Sequence, residues 1–121
     1  MTGGAPWPTE LRVAPAKDAL AVSFDTGESF TLSAEYLRVE SPSAEVQGHS
    51  PDQKKTVPGK RSVTIVSIEP VGNYAVRLGF DDGHDTGLYS WDYLHRLGRE
   101  FADKWQAYLG ALRAKGLSRD A

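Results

Sequence analysis

Apolar residues alternate with small or polar ones in two stretches that share one plan. Leu20, Val22 and Phe24 alternate in this way, the period of a strand with one buried face, and Phe30 and Leu32 resume it. Between them Asp25-Thr26-Gly27 supplies a turn, with Gly27 able to take positive φ. Ser33 then caps a short helix, with Glu35 in the first turn where the helix dipole favours an anion. Further on, Tyr74, Val76, Leu78 and Phe80 alternate, Asp82-Gly83 signals a hairpin, and Leu88 and Tyr89 carry the return strand. Ser90 caps the next helix, with Asp92 in its first turn. Aligned, Phe24-Asp25-Thr26-Gly27 lies opposite Phe80-Asp81-Asp82-Gly83, and Ser33-Ala34-Glu35-Tyr36-Leu37 lies opposite Ser90-Trp91-Asp92-Tyr93-Leu94. One residue is inserted between the blocks. The chain therefore reads as two hairpin-plus-helix quasi-repeats.

Leu11–Val13 is a short strand candidate, which Pro15 ends or confines to an edge. Val63, Ile65, Val66 and Ile68 form a β-branched strand that turns at Pro70-Val71-Gly72-Asn73. Beyond Ser90, apolar residues recur at Leu94, Leu97, Phe101, Trp105, Tyr108 and Leu112, the spacing of one helical face. Gly98 and Gly110 each weaken such a helix by about 1 kcal/mol relative to alanine, which predicts a kink or break near Gly98. Three stretches carry neither period: a loose leader at 1–9, a long surface loop at 40–61 and a frayed tail at 116–121. A loop of that length is usually functional or mobile. The predicted class is α+β: one domain over 10–115, a mainly antiparallel sheet with a C-terminal helix packed on one side.

Composition narrows the function classes more than the fold. The chain has 121 residues, 40% apolar and 25% charged, which suits a single ordinary globular domain. The absence of cysteine removes disulfides, thiolate metal sites and cysteine nucleophiles together. A formal charge of −2 gives no global attraction to nucleic acid or acidic lipid. No apolar run reaches membrane-spanning length and MTGGAPWPTELR lacks a secretory pattern, so the expected location is the cytoplasm.

The densest cluster of chemistry-bearing side chains is Asp81-Asp82-Gly83-His84-Asp85. Three carboxylates and an imidazole could hold zinc or iron. Aspartate and glycine are equally what a hairpin turn selects, and neighbouring strand residues point to opposite faces. His49 in the long loop and His95 on the last helix have no partner at a converging spacing. Neither a Gly-x-Ser-x-Gly elbow nor a phosphate-binding loop is present, and no acid or base has an evident activating neighbour. The lysines and arginine at Lys54, Lys55, Lys60 and Arg61 lack interleaved aromatics that would stack bases. Trp91 and Trp105 are expected to pack the helix on the sheet, with part of that aromatic face available to a partner.

The phrases EPVGNYAVRLGFDDGHDTGLYSW and GHSPDQKKTVPGKR, with Tyr36-Leu37-Arg38-x-x-Ser41-Pro42-Ser43, carry a more specific signal. Over roughly residues 10–100 the chain resembles the small domain at the N-terminus of gamma-butyrobetaine hydroxylase and trimethyllysine hydroxylase. It is most similar to stand-alone bacterial members long labelled a domain of unknown function. In the hydroxylases that domain holds a structural zinc through Trp-Leu-Arg-x-x-Cys-Pro-Cys-x-x-Cys and a distant histidine. Residue by residue, the resemblance puts Ser41, Ser43 and Val46 where the cysteines would be and His84 on the histidine. Three of four zinc ligands are thus missing, and neither serine nor valine replaces a thiolate. The oxygenase chemistry of those enzymes resides in a separate domain. Relatives of the domain are also found joined to P-loop ATPases carrying iron–sulfur clusters, which implies a link to iron or cluster metabolism.

The resulting expectation is a non-catalytic accessory or adaptor module that binds an unidentified protein, with no resident cofactor. It would use the 40–61 loop, including Lys54 and Lys55, and an aromatic surface around Tyr36, Trp91 and Tyr93. The alternative is an iron- or zinc-binding protein in which His84 acts with Asp82 or Asp85, completed by His49. The oligomeric state is open.

Overall fold

The computed structural model describes residues 6–120. Its first half runs β1 (Pro8–Val13), β2 (Ala19–Phe24), β3 (Ser29–Ser33) and α1 (Ala34–Val39). Its second half runs β4 (Ile65–Val71), β5 (Ala75–Phe80), β6 (Gly87–Ser90) and α3 (Trp91–Arg99). Each half is a three-stranded antiparallel sheet, ordered β1-β2-β3 and β4-β5-β6, followed by its helix. The chain is α+β, with two small sheets rather than one.

The duplication runs deeper than the aligned motifs. Both sheets break register at the same place, between Pro8 and Glu10 and between Ile65 and Ser67. The extra residue at such a bulge is left out of the ladder, which explains why Val66 is exposed. Both hairpin turns use an aspartate as a clasp. Asp25 N–H donates to Trp7 O at 2.8 Å and Trp7 N–H returns a bond to Asp25 Oδ1 at 3.1 Å. Asp81 N–H donates to Thr64 O at 3.0 Å, and Thr64 N–H returns to Asp81 Oδ1 at 3.1 Å. Gly27 and Gly83 close these turns at φ 90° and 91°, where a side chain would be strained. Part of the expected leader is therefore structure: the clasp begins at Trp7 and β1 at Pro8, while residues 1–5 lie outside the described residues.

Helix caps repeat as well. Ser33 Oγ accepts from Tyr36 N–H at 3.0 Å and Ser90 Oγ from Tyr93 N–H at 3.1 Å. The two halves then exchange hydroxyls. Tyr36 donates to Leu97 O at 2.7 Å, and Tyr93 donates to Glu40 O at 2.5 Å. Each tyrosine satisfies a carbonyl near the end of the opposite helix, where intrahelical partners run out. Between them lies one core, drawn from Leu20, Val22, Phe24, Leu32 and Leu37 of the first half and Ile65, Val76, Leu78, Tyr89 and Leu94 of the second. Each fully buried aliphatic or aromatic side chain contributes roughly 1.5–3 kcal/mol.

Outside this paired core the halves differ. After α1 the chain makes α2 (Ala44–Gln47) and a single 3-10 turn at Pro51–Gln53. After α3 it breaks at Glu100 (φ −104°, ψ 18°) and continues as α4 (Phe101–Lys115). The break falls close to the expected position, but Gly98 is there for another reason: a Cβ on it would overlap the Phe30 ring.

The two extensions pack on each other. Val39, Tyr108 and Leu112 form a second, smaller core with Val57, Trp105 and Leu109 against them. Tyr108 donates its hydroxyl to Val57 O at 2.6 Å, and Lys115 Nζ donates to Thr56 Oγ1 at 3.0 Å. Two corrections follow. Residues 40–61 are held down over much of their length, with Ser41 and Val46 buried. Residues 116–120 do not fray, because Gly59 N–H donates to Ser118 O, Arg61 N–H donates to Arg119 O, and Arg119 grips buried Glu35 with two bonds of 2.7 and 2.8 Å. A bidentate guanidinium–carboxylate pair is strong enough to fix a short tail.

Candidate functional site

The second hairpin turn folds His84 inward, so that it is buried against residues just past α1. Ser41 Oγ lies 2.8 Å from His84 Nε2 and also accepts from Ser43 N–H at 3.2 Å. Burial holds the imidazole pKa below its ordinary value, and the nearby Arg38 charge pushes it the same way against Glu45, Asp82 and Asp85. A neutral ring keeps one donor and one acceptor nitrogen, with Nε2 on Ser41 and Nδ1 facing Glu45 Oε1 at 3.9 Å.

A second chain of bonds runs beside it. Ser43 Oγ lies 2.8 Å from Thr86 Oγ1, and Thr86 donates to Glu45 Oε1 at 2.6 Å. That bond holds the Glu45 carboxyl below its usual range. Ser43 Oγ also accepts from Glu45 N–H at 3.2 Å and so caps α2, which places Val46 in the buried interior.

Asp82 is committed elsewhere. Its Oδ2 receives Arg38 Nε and Lys60 Nζ, each at 2.7 Å, and its Oδ1 accepts His84 N–H at 3.0 Å. Burial alone would push this carboxyl up. The bonds from Lys60, His84 N–H and Arg38 outweigh that and bring it down to about 2.

The structure thus brings Ser41, Ser43, Val46 and His84 into one locality, although more than 40 residues separate the serines from the histidine. The four do not fit a zinc ion. Two ligands about 2.1 Å from a tetrahedral metal stand about 3.4 Å apart, whereas Ser41 and His84 are in direct hydrogen-bond contact at 2.8 Å. Nor is the other expected set assembled. Asp85 and His49 are exposed, and His49 is held through its backbone N–H, which donates to Gln53 Oε1 at 2.9 Å. Among the described residues no three His, Asp or Glu side chains converge as a metal-ligand group.

The expected aromatic partner surface is also corrected. Tyr36 is fully buried, as the reciprocal hydroxyl bond requires. Tyr93 is half-buried with its hydroxyl on Glu40 O, and Trp91 donates Nε1–H to Asn73 O at 2.9 Å. Trp7, half exposed, packs edge-on to Trp91 at 6.3 Å between ring centroids. Lys54 and Lys55 are at the surface as expected, with Lys54 Nζ 2.6 Å from Glu40 Oε1. Sequence reasoning missed Arg38, Glu45, Lys60 and Thr86. Arg38 had a signal, since it occupies the repeat position of His95, which pairs with Glu28 beside the first turn at 2.7 Å. No spacing pointed to Lys60.

A known family model matches most of the chain. The model described as gamma-butyrobetaine hydroxylase-like, N-terminal, covers residues 11–95. The chain belongs to this family. Two proteins with NMR solution structures are similar to it over nearly their whole length. One is 51% identical with a TM-score of 0.82, covering 98% of this chain and 90% of the other. The second is 44% identical with a TM-score of 0.82, covering 97% and 92%. A crystal structure of a DUF971-family protein of unknown function from Acidithiobacillus ferrooxidans is 40% identical, with a TM-score of 0.62 over 75% of this chain and 91% of that one. No curated protein matches the chain. Within the family fold, no helix among the described residues is long and apolar enough to cross a membrane.

Proposed function

We propose that this family member is a non-catalytic accessory module that binds a protein partner through the outer face of residues 44–56. The observation that carries this reading is the fate of the polar groups around His84. Ser41 pairs with His84, Ser43 with Thr86, Thr86 with Glu45 and Asp82 with Arg38 Nε, so these groups brace a segment rather than present a free nucleophile or base. Among the described residues the buried side-chain polar atom left without a partner is Arg38 Nη1, a donor that is neither. What the locality supports is α2 and the turn after it, whose outer side shows His49, Asp52 and Lys55 to solvent. A polar, mixed-charge surface on a fixed scaffold suits a reversible protein contact.

The test is affinity capture with the whole chain and a triple variant, His49→Ala, Asp52→Ala and Lys55→Glu. An Arg12→Ala variant, at an exposed position on β1 of the other sheet, serves as control. The expected result is a partner retained by wild type and control and lost from the triple variant. A partner that binds all three equally would move the contact elsewhere and overturn the assignment of this face.

A further inference from the structure

An open cleft lies where the two unequal extensions meet. It has a volume of about 260 Å³ and lies between Lys54–Thr56, the end of α1 and α4. Its wall is apolar, made by buried Val39 and Tyr108 and by Ala107 and Ala111. Those alanines are one helical turn apart on α4, and their methyl groups leave the space open. Its rim is cationic, carrying Lys54, Lys55 and Lys104. Against these stands a single lining carboxylate, Glu40, which is already 2.6 Å from Lys54. Lys104 has a longer contact of 3.7 Å to Glu100, and Lys55 forms no ion pair among the described residues.

We infer that this cleft is a binding site for a small monocarboxylate with a compact apolar body, of the arylacetate type. Each part of the class follows from a wall. The unpaired ammonium of Lys55, with Lys104 beside it, favours one negative charge. The Val39–Tyr108–Ala111 wall needs apolar surface against it, which acetate or inorganic phosphate cannot supply. The volume sits just below the usual range for ligand pockets, about 300–1,000 Å³, so the body is small. A polyphosphate would need further donors, and no arginine lines the cleft. The cleft shares Lys54–Thr56 with the face proposed above, but its Val39–Tyr108–Ala111 wall does not belong to that face, so phenylacetate binding and partner capture can fail separately.

The experiment is an amide NMR titration of the full chain with phenylacetate, phenylacetamide and acetate. Saturable shifts are expected at residues 54–56 and 107–111 with phenylacetate, and binding at least tenfold weaker for the other two. Phenylacetamide binding as tightly would show that charge plays no part, and acetate binding as tightly would show the same of the wall. Either overturns the assignment, as would shifts that never saturate or that cluster elsewhere. Ala111→Leu, at a half-buried position, should fill the cleft and weaken phenylacetate at least tenfold. Should that variant alter the spectrum globally, Ala107→Leu, at an exposed position, takes its place. Wild-type affinity in a well-folded variant would equally sink the proposal.

Discussion

The two halves treat the same structural junction in opposite ways. In the first, the β3 residue Phe30 pushes its ring against Gly98 on α3, and it packs edge-on to Phe24 at 6.1 Å. At the corresponding place in the second, the β6 residue is Gly87, and it faces Ser41, whose Oγ would lie 2.6 Å from an added Cβ. A large side chain opposite a glycine has been exchanged for a glycine opposite a small hydroxyl. The first junction is closed by carbon. The second leaves room for Ser41 and His84 to meet, and a hydrogen bond replaces the ring. A duplicated backbone can therefore carry one joint closed by an aromatic ring and one closed by a hydrogen bond to a buried histidine.

If the halves are equal partners in the core, symmetry-related truncations should cost the same. Leu37→Ala and Leu94→Ala remove the same atoms from fully buried, corresponding positions. Each is expected to lower stability by about 2–5 kcal/mol, read from urea unfolding. A loss confined to one of them would show that one half folds around the other. A smaller effect sharpens the joint itself. Gly98→Ala should cost about 1–3 kcal/mol by overlap with Phe30, and Phe30→Leu in the same chain should recover part of it in a double-mutant cycle.

The smallest effect tests the polar joint. The folded-state pKa of His84 is lowered, so the unfolded chain takes up its proton first as pH falls. The stability that the neutral ring contributes is complete above the unfolded value of about 6.5, and it is lost as pH falls through that value towards the lower folded one. Unfolding midpoints at pH 7.5 and 5.5 should differ in that direction, and His84→Gln should remove much of the difference. A slope that survives the substitution would assign the sensitivity to another group.

Much of this architecture was legible in the residues. The alternation of Leu20, Val22 and Phe24, the two aspartate–glycine turns and the caps at Ser33 and Ser90 are local signals, and local backbone preference decides them. Non-local pairing was not legible. Residues 40–61 read as a bare loop because Val57 and Thr56 gain their partners from α4, and the tail read as frayed because Glu35 is 84 residues from Arg119. Tyr36 looked like a surface aromatic for the same reason, since its hydroxyl partner is a carbonyl on the other helix. The nearness of Ser41, Ser43 and His84 was reached through family resemblance, and neither spacing nor composition would have given it.

The exchanged tyrosine hydroxyls also tie the first half to residues that are synthesised later. Tyr36 needs a carbonyl 61 residues downstream, and Glu40 waits 53 residues for Tyr93. At about 5–20 residues per second, the first half emerges from the ribosome roughly 3–12 s before its counterpart exists. During that interval the apolar side of β2, β3 and α1 has nothing to close on, so this small chain is exposed to nascent-chain binding factors for a time set by translation speed.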